Sequence, residues 1–401
     1  MIVFLIILMF LTGCGMSSSS LYRNNEEFWE GSDGLVFDFV DENPPEMVFE
    51  DTPFSVALDV ANQGAHTLTG FITLSIEEDY MCLVDDNNEC STFDAVDVYT
   101  TSVKDRIESY YAEIDSYSAT IAALDDDDEI ENLKDKIQEV RKNIEALKDS
   151  VPIAHPYKTK WFSLEGKSIF NYNGGTDVLE YKAKAKSAGR LSEEHEVTVV
   201  ATACYDYTTK WNQEICIDTD INKMNIFEGA CEATDISLTS QGAPLTITKI
   251  ESHMIPTGTG YIRPMFTIYV QNKGNGKVIN KEKIEHACTS TGLSSKDYNM
   301  VFLKEFMLSN DQLVYDFNGY DPTTGKEINP DGDGDTITCK PNPLILENNG
   351  KDYITCIVNE DIEWDMFSLE QAPYSTTLAM QFDYGYTLSQ SEQITIKRLL
   401  S

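Results

Sequence analysis

The chain has 401 residues, 67 of them acidic and 30 basic, for a formal net charge of −37. Acidity on that scale, spread along the whole chain, excludes nucleic acid as a partner and excludes lying flat on anionic headgroups; it reads as a solvated, self-repelling surface. The length is enough for two or three domains.

The first element is an unbroken apolar run from Ile2 to Phe10, followed by Leu11-Thr12-Gly13-Cys14 and the glycine-serine stretch from Gly15 to Ser20. A run this short, ending in small residues, has the form of a secretory h-region and cleavage site, since a membrane span needs about 20 residues. No Lys or Arg stands ahead of the run, because Met1 leads straight into Ile2. With a cysteine at the cut, the segment resembles the lipobox of prokaryotic lipoproteins, in which cleavage falls just before the cysteine and its thiol carries a diacylglycerol. The resemblance implies a signal peptide over 1–13, a lipid on Cys14, a flexible tether over 14–30, and a body held at the extracytoplasmic face of a membrane.

From Leu35 onward short alternating segments with turn punctuation predict a mainly β chain. Phe54-Ser55-Val56-Ala57-Leu58-Asp59-Val60 alternates with period two, and Asn62-Gln63-Gly64 breaks it. The segment from Val96 to Val151 is different. Val103, Ile107, Tyr110, Ile114, Tyr117, Ile121 and Leu124 recur at steps of four and three, as do Ile130, Leu133, Ile137, Val140, Ile144, Leu147 and Val151. The phase slips between the two sets at Asp125 to Asp128, where four aspartates suit a helix start. This pattern predicts an antiparallel helical hairpin, a coiled coil with arms of about 20 residues and roughly 30 Å. It predicts either a projecting arm or a pair folded back on the sheet, which Tyr111 would assist.

Downstream the first strand motif returns. Phe266-Thr267-Ile268-Tyr269-Val270 is broken by Asn272-Lys273-Gly274, and Tyr205-Asp206-Tyr207 is echoed by Phe382-Asp383-Tyr384. Two echoes in the same order predict two β-sandwiches in tandem: the first over 31–98 and 153–234, the hairpin inserted over 99–152, the second over 235–401. The N-x-G strand pattern resembles immunoglobulin-like modules of prokaryotic surface proteins, including CARDB-type adhesion-related domains. Together with the lipobox and the cysteines it is similar to surface lipoproteins of prokaryotes, archaea included; that group brings no known reaction with it.

Nine cysteines are ordinary for an exported protein and many for a reducing cytosol. Apart from Cys14 they are Cys82, Cys90, Cys204, Cys216, Cys231, Cys288, Cys339 and Cys356, and none has C-x-x-C spacing. Local layout predicts Cys82–Cys90 across a polar loop, Cys339–Cys356 across a turn, Cys204–Cys216 on hairpin neighbours, and by elimination Cys231–Cys288. The metal candidate is the loop carrying Asn329, Asp331, Asp333 and Asp335, whose alternate oxygens suit Ca²⁺ although Lys340 stands where a bidentate Glu is expected. A solvated turn accounts for the same loop equally well.

No nucleophile elbow, zinc-protease, Walker or dinucleotide motif is present, and the histidines His66, His155, His195, His253 and His286 lack ligand spacing and read as surface or loop residues. The expected function is therefore a non-enzymatic, membrane-anchored surface lipoprotein engaged in adhesion or protein–protein contact. A structural or accessory subunit of a cell-envelope assembly, calcium-stabilised, is the alternative.

Overall fold

The computed structural model describes residues 31–84, 88–90, 101–122, 124, 127–150, 158–168, 171–187, 193–219, 231–258, 261–288, 293–308, 313–317, 320–321, 326–327, 336–359, 362–363 and 373–399. The first part of the chain forms β1 (Leu35–Phe39), β2 (Met47–Phe49), β3 (Pro53–Asn62), β4 (Leu68–Ile76) and β5 (Met81–Leu83). Two helices follow, α1 (Thr101–Ala122) and α2 (Asp127–Ser150), then β6 (Thr159–Leu164), β7 (Thr176–Ala185) and β8 (Glu194–Ile217). The second part opens with β9 (Ile236–Ser237), β10 (Leu245–Gly258), β11 (Tyr261–Asn272) and β12 (Lys277–Ile279). A short helix α3 (Ile284–Ala287) precedes β13 (Met300–Leu308), β14 (Leu313–Asp316), β15 (Tyr320–Asp321) and β16 (Lys326–Glu327). The chain ends through β17 (Ile337–Lys340), β18 (Leu344–Ile345), β19 (Lys351–Val358), β20 (Ile362–Glu363) and β21 (Tyr374–Lys397).

Period-two patterning makes these strands two-faced. In β7 Leu179, Tyr181, Ala183 and Ala185 point inward between more exposed residues, and β8 buries Val197, Val199, Ala201, Ala203, Tyr205 and Tyr207 in the same way. The two longest strands, β8 and β21, are 24 residues each and pair antiparallel along their whole length, Tyr374 opposite Ile217 and Lys397 opposite Glu194. They form the spine of a nine-stranded sheet with the order β14-β13-β21-β8-β4-β6, joined at its margins by β2, β12 and β18. Two smaller sheets, β1-β3-β7-β5 and β17-β19-β11-β10-β9 with β20, contribute side chains to the same core. That core is one contiguous cluster running from Leu35 and Leu58 through Tyr205 and Tyr384 to Phe266 and Ile354.

The helices have their own apolar contact, Ile107, Tyr111, Ile114 and Ile121 on α1 with Leu133, Ile137, Val140 and Ile144 on α2. They are tied to the sheet rather than set apart from it. Trp161 of β6 packs against their cluster, the hydroxyls of Tyr111 and Ser163 lie 3.3 Å apart, and Arg141 makes a two-pronged ion pair with Glu165 at 2.7 and 3.2 Å.

Mainly β is the right class, but two Ig-like sandwiches in tandem with a coiled-coil hairpin inserted in the first is corrected. Pairing of β8 with β21 fuses the two expected sandwiches into one curled sheet and one core. The helices are an appendage of that sheet's β6 margin and not a coiled-coil domain. The physical reason is that two long strands with free edges gain 24 rungs of backbone hydrogen bonding by pairing with each other, which sequence-local patterning does not reveal.

Candidate functional site

Four tyrosines meet at the middle of the spine. Tyr205 lies opposite Tyr386 and Tyr207 opposite Tyr384, all of them buried, with ring centroids 5.7 to 6.4 Å apart. Each hydroxyl holds a backbone group of a facing segment. Tyr205 accepts from the Leu35 N–H at 3.3 Å and Tyr384 from the Leu245 N–H at 3.2 Å. Tyr207 accepts from the His66 N–H at 3.4 Å and Tyr386 from the Gly276 N–H at 2.8 Å. Asn62 and Asn272 repeat one another too: each donates its side-chain amide four residues ahead, to His66 and Gly276 respectively, at 2.8 and 3.0 Å. Each also donates its backbone N–H to a glycine carbonyl, Gly175 and Gly350.

These matched bonds define two equivalent halves related by a pseudo-two-fold axis through the Asp206–Gly385 pair. The echo of Tyr205-Asp206-Tyr207 in Phe382-Asp383-Tyr384 is thereby corrected by two residues, since Tyr205 and Tyr207 correspond to Tyr384 and Tyr386. Glycines permit the close approach. A Cβ on Gly64 would fall on the Tyr207 hydroxyl, and one on Gly274 would crowd the Tyr386 hydroxyl. Burial raises the pKa of all four phenols, that of Tyr386 to about 12 and the other three further. They therefore stay protonated and uncharged through the physiological range, and their hydroxyl oxygens hold these four backbone N–H groups and staple the sheets together.

Beside Tyr386 lies a cleft of about 90 Å³, lined among others by Asp33, Gly34, Pro244, Gly274, Asn275 and Gly276. It has room for about three waters, well below the ~300 Å³ at which small-molecule pockets begin. On the opposite face of the spine, Asp383 accepts from Lys281 at 2.8 Å, Thr208 at 2.9 Å and Gln381 at 3.0 Å. Burial alone would raise its pKa; the Lys281 charge and these three bonds outweigh that and hold the carboxyl below its ordinary range. The pair pins the segment after β12 to β21.

His66 is corrected from a surface residue to a half-buried one whose Nε2 is enclosed. Desolvation first, and Lys210 second, push its imidazole down to about 3, with Asp383 opposing. Protonation thus favours the unfolded chain, where the pKa is about 6.5. Stability conferred at neutral pH is lost as pH falls below 6.5 and continues to fall towards about 3. Urea midpoints of wild type and His66→Asn should diverge on acidification, the wild type losing about 2 kcal/mol more between pH 7 and pH 5.

The structure pairs Cys82 with Cys90 and Cys339 with Cys356. The other two predicted bonds are corrected: Cys204 pairs with Cys288 and Cys216 with Cys231. Cys204 and Cys216 lie on the single strand β8 and not on hairpin neighbours, so twelve residues of extended chain put roughly 40 Å between them. Cys14 and the loop bearing Asn329, Asp331, Asp333 and Asp335 fall outside the described residues. Among the described residues no three His, Cys, Asp or Glu side chains group to hold a metal ion, and no helix is long and apolar enough to cross a membrane.

Four disulfides place the chain in an oxidising, extracytoplasmic setting. Set against protein-family models and curated proteins, the chain matches none.

Proposed function

We propose that the chain is an exported surface lipoprotein, anchored through Cys14, that works by binding a partner at the cell surface and not by catalysis. The observation that carries this reading is the cysteine inventory. The four disulfides use the eight cysteines other than Cys14, and Cys14 alone sits in a lipobox-like setting behind an apolar leader. A rigid body stapled by disulfides and by buried tyrosines suits a binding module, which must hold a surface in shape outside the cell. The high acidity keeps such bodies apart from one another and from anionic headgroups.

The test is lipid labelling in a prokaryotic host with the full leader present. Wild type should incorporate labelled fatty acid and partition into the detergent phase, whereas Cys14→Ser should stay unlabelled and aqueous. A wild-type chain that takes up no label would overturn the anchor.

A further inference from the structure

We infer that the outer face of the β10–β11–β19 sheet is a binding platform for an uncharged glycan. Lys249, Tyr269 and Tyr353 are direct cross-strand neighbours and form one row across the three strands. The two tyrosine rings lie 5.6 Å apart at 42° to each other, and Tyr353 is 50% exposed. The polar rim beside them is already ordered. The Tyr269 hydroxyl donates to Glu251 at 3.1 Å, and Lys249 reaches Glu251 at 2.6 Å and Asp235 at 2.8 Å. His253 stands next to the same carboxylate at 3.7 Å.

An exposed cross-strand tyrosine pair is also a way of stabilising a sheet. The other half of the molecule decides between the two readings, because it builds the equivalent three strands without one. Its row is Asp38, Asp59 and Val178 on β1, β3 and β7, with the same antiparallel pairing. The fold therefore does not require aromatic side chains here. The backbone differs as well: β1 and β3 pair without interruption, whereas β10 is bulged between Ile247 and Lys249, which brings Lys249 opposite Tyr269. A bulge that re-aims a side chain is a recurrent device next to binding sites.

The chemistry of the row selects the ligand. A sugar ring has an apolar C–H face and a rim of hydroxyls that both donate and accept. Tyrosine faces match the first, and the fixed Lys249, Glu251 and Asp235 groups match the second. A net charge of −37 repels acidic polysaccharides, and Lys249 offsets the carboxylates it touches, so an uncharged chain fits best. The inference rests on the reading of an exported binding protein. Its test reads glycan binding alone, so its failure leaves the Cys14 anchor untouched.

The experiment is affinity electrophoresis and calorimetry of the intact chain against uncharged β-glucan, mannan and chitin oligosaccharides, with cationic chitosan alongside. At least one uncharged glycan should bind, and 0.5 M NaCl should leave that binding within about twofold. Replacing Tyr269→Asp together with Tyr353→Val installs the residues that the equivalent strands of the other half carry. That variant should still melt in one cooperative transition and lose at least tenfold in affinity, while Tyr353→Phe retains binding. No binding to any uncharged glycan, binding unchanged in the double variant, or binding only to chitosan that salt abolishes would each overturn the proposal.

Discussion

Replacing Cys204 and Cys288 together by alanine should cost about 4–5 kcal/mol, the larger part of a typical domain's net stability. The bond closes a loop of 84 residues and both cysteines are buried, 0% and 6% exposed. It clamps the excursion between β12 and β13, which belongs to the second half, onto β8 of the first. Thr73 on β4 adds a hydroxyl bond to the Cys288 carbonyl at 2.9 Å. Loop-closure entropy assigns only about 3 kcal/mol to the Cys339–Cys356 bond, whose sequence separation is 17. Denaturant titration of the two double-alanine variants under non-oxidising conditions separates these values. Equal losses would show that the clasp between halves adds nothing beyond an ordinary local staple.

Gly64→Ala should be strongly damaging at the seam, costing about 3 kcal/mol. The added carbon would overlap the Tyr207 hydroxyl and sit 2.8 Å from the Gly242 carbonyl oxygen. Tyr207 cannot yield freely, since its hydroxyl donates to that same carbonyl at 2.8 Å and its ring packs against Tyr205 and Tyr384. Gly350→Ala is the control. Its φ of +74° carries a conformational cost of about 1 kcal/mol, but the nearest atom to an added Cβ is 3.5 Å away. Thermal melts should therefore rank Gly64→Ala well below Gly350→Ala, and the opposite order would mean that the tyrosine seam repacks easily.

Both effects trace to contacts between the halves, which no single element of the sequence encodes. The alternation over Phe54 to Val60 and Phe266 to Val270, and the Asn-x-Gly breaks after them, were legible because period two and turn chemistry are local. The helical stretches were legible because their apolar steps of three and four are local as well. The loop-bracketing cysteine pairs, Cys82–Cys90 and Cys339–Cys356, follow from short separation alone. Cys204 pairs with Cys288 and not with Cys216 because β8 runs unbroken through both Cys204 and Cys216, and nothing local marks a strand as 24 residues long. The platform of Lys249, Tyr269 and Tyr353 was illegible for the same reason, its members being separated by 20 and 84 positions and joined only by register.

By itself the sequence determined that this is a mainly β, acidic, cysteine-bearing chain with an internal echo and an apolar run, Ile2 to Phe10, ahead of Cys14. Each of those rests on composition or on neighbours within a few residues. Only the tertiary structure decided that the two echoing halves share one sheet, with Tyr205, Tyr207, Tyr384 and Tyr386 at its pseudo-two-fold centre. Pairing between distant strand edges is chosen by the free energy of the whole core, so no single segment carries the information.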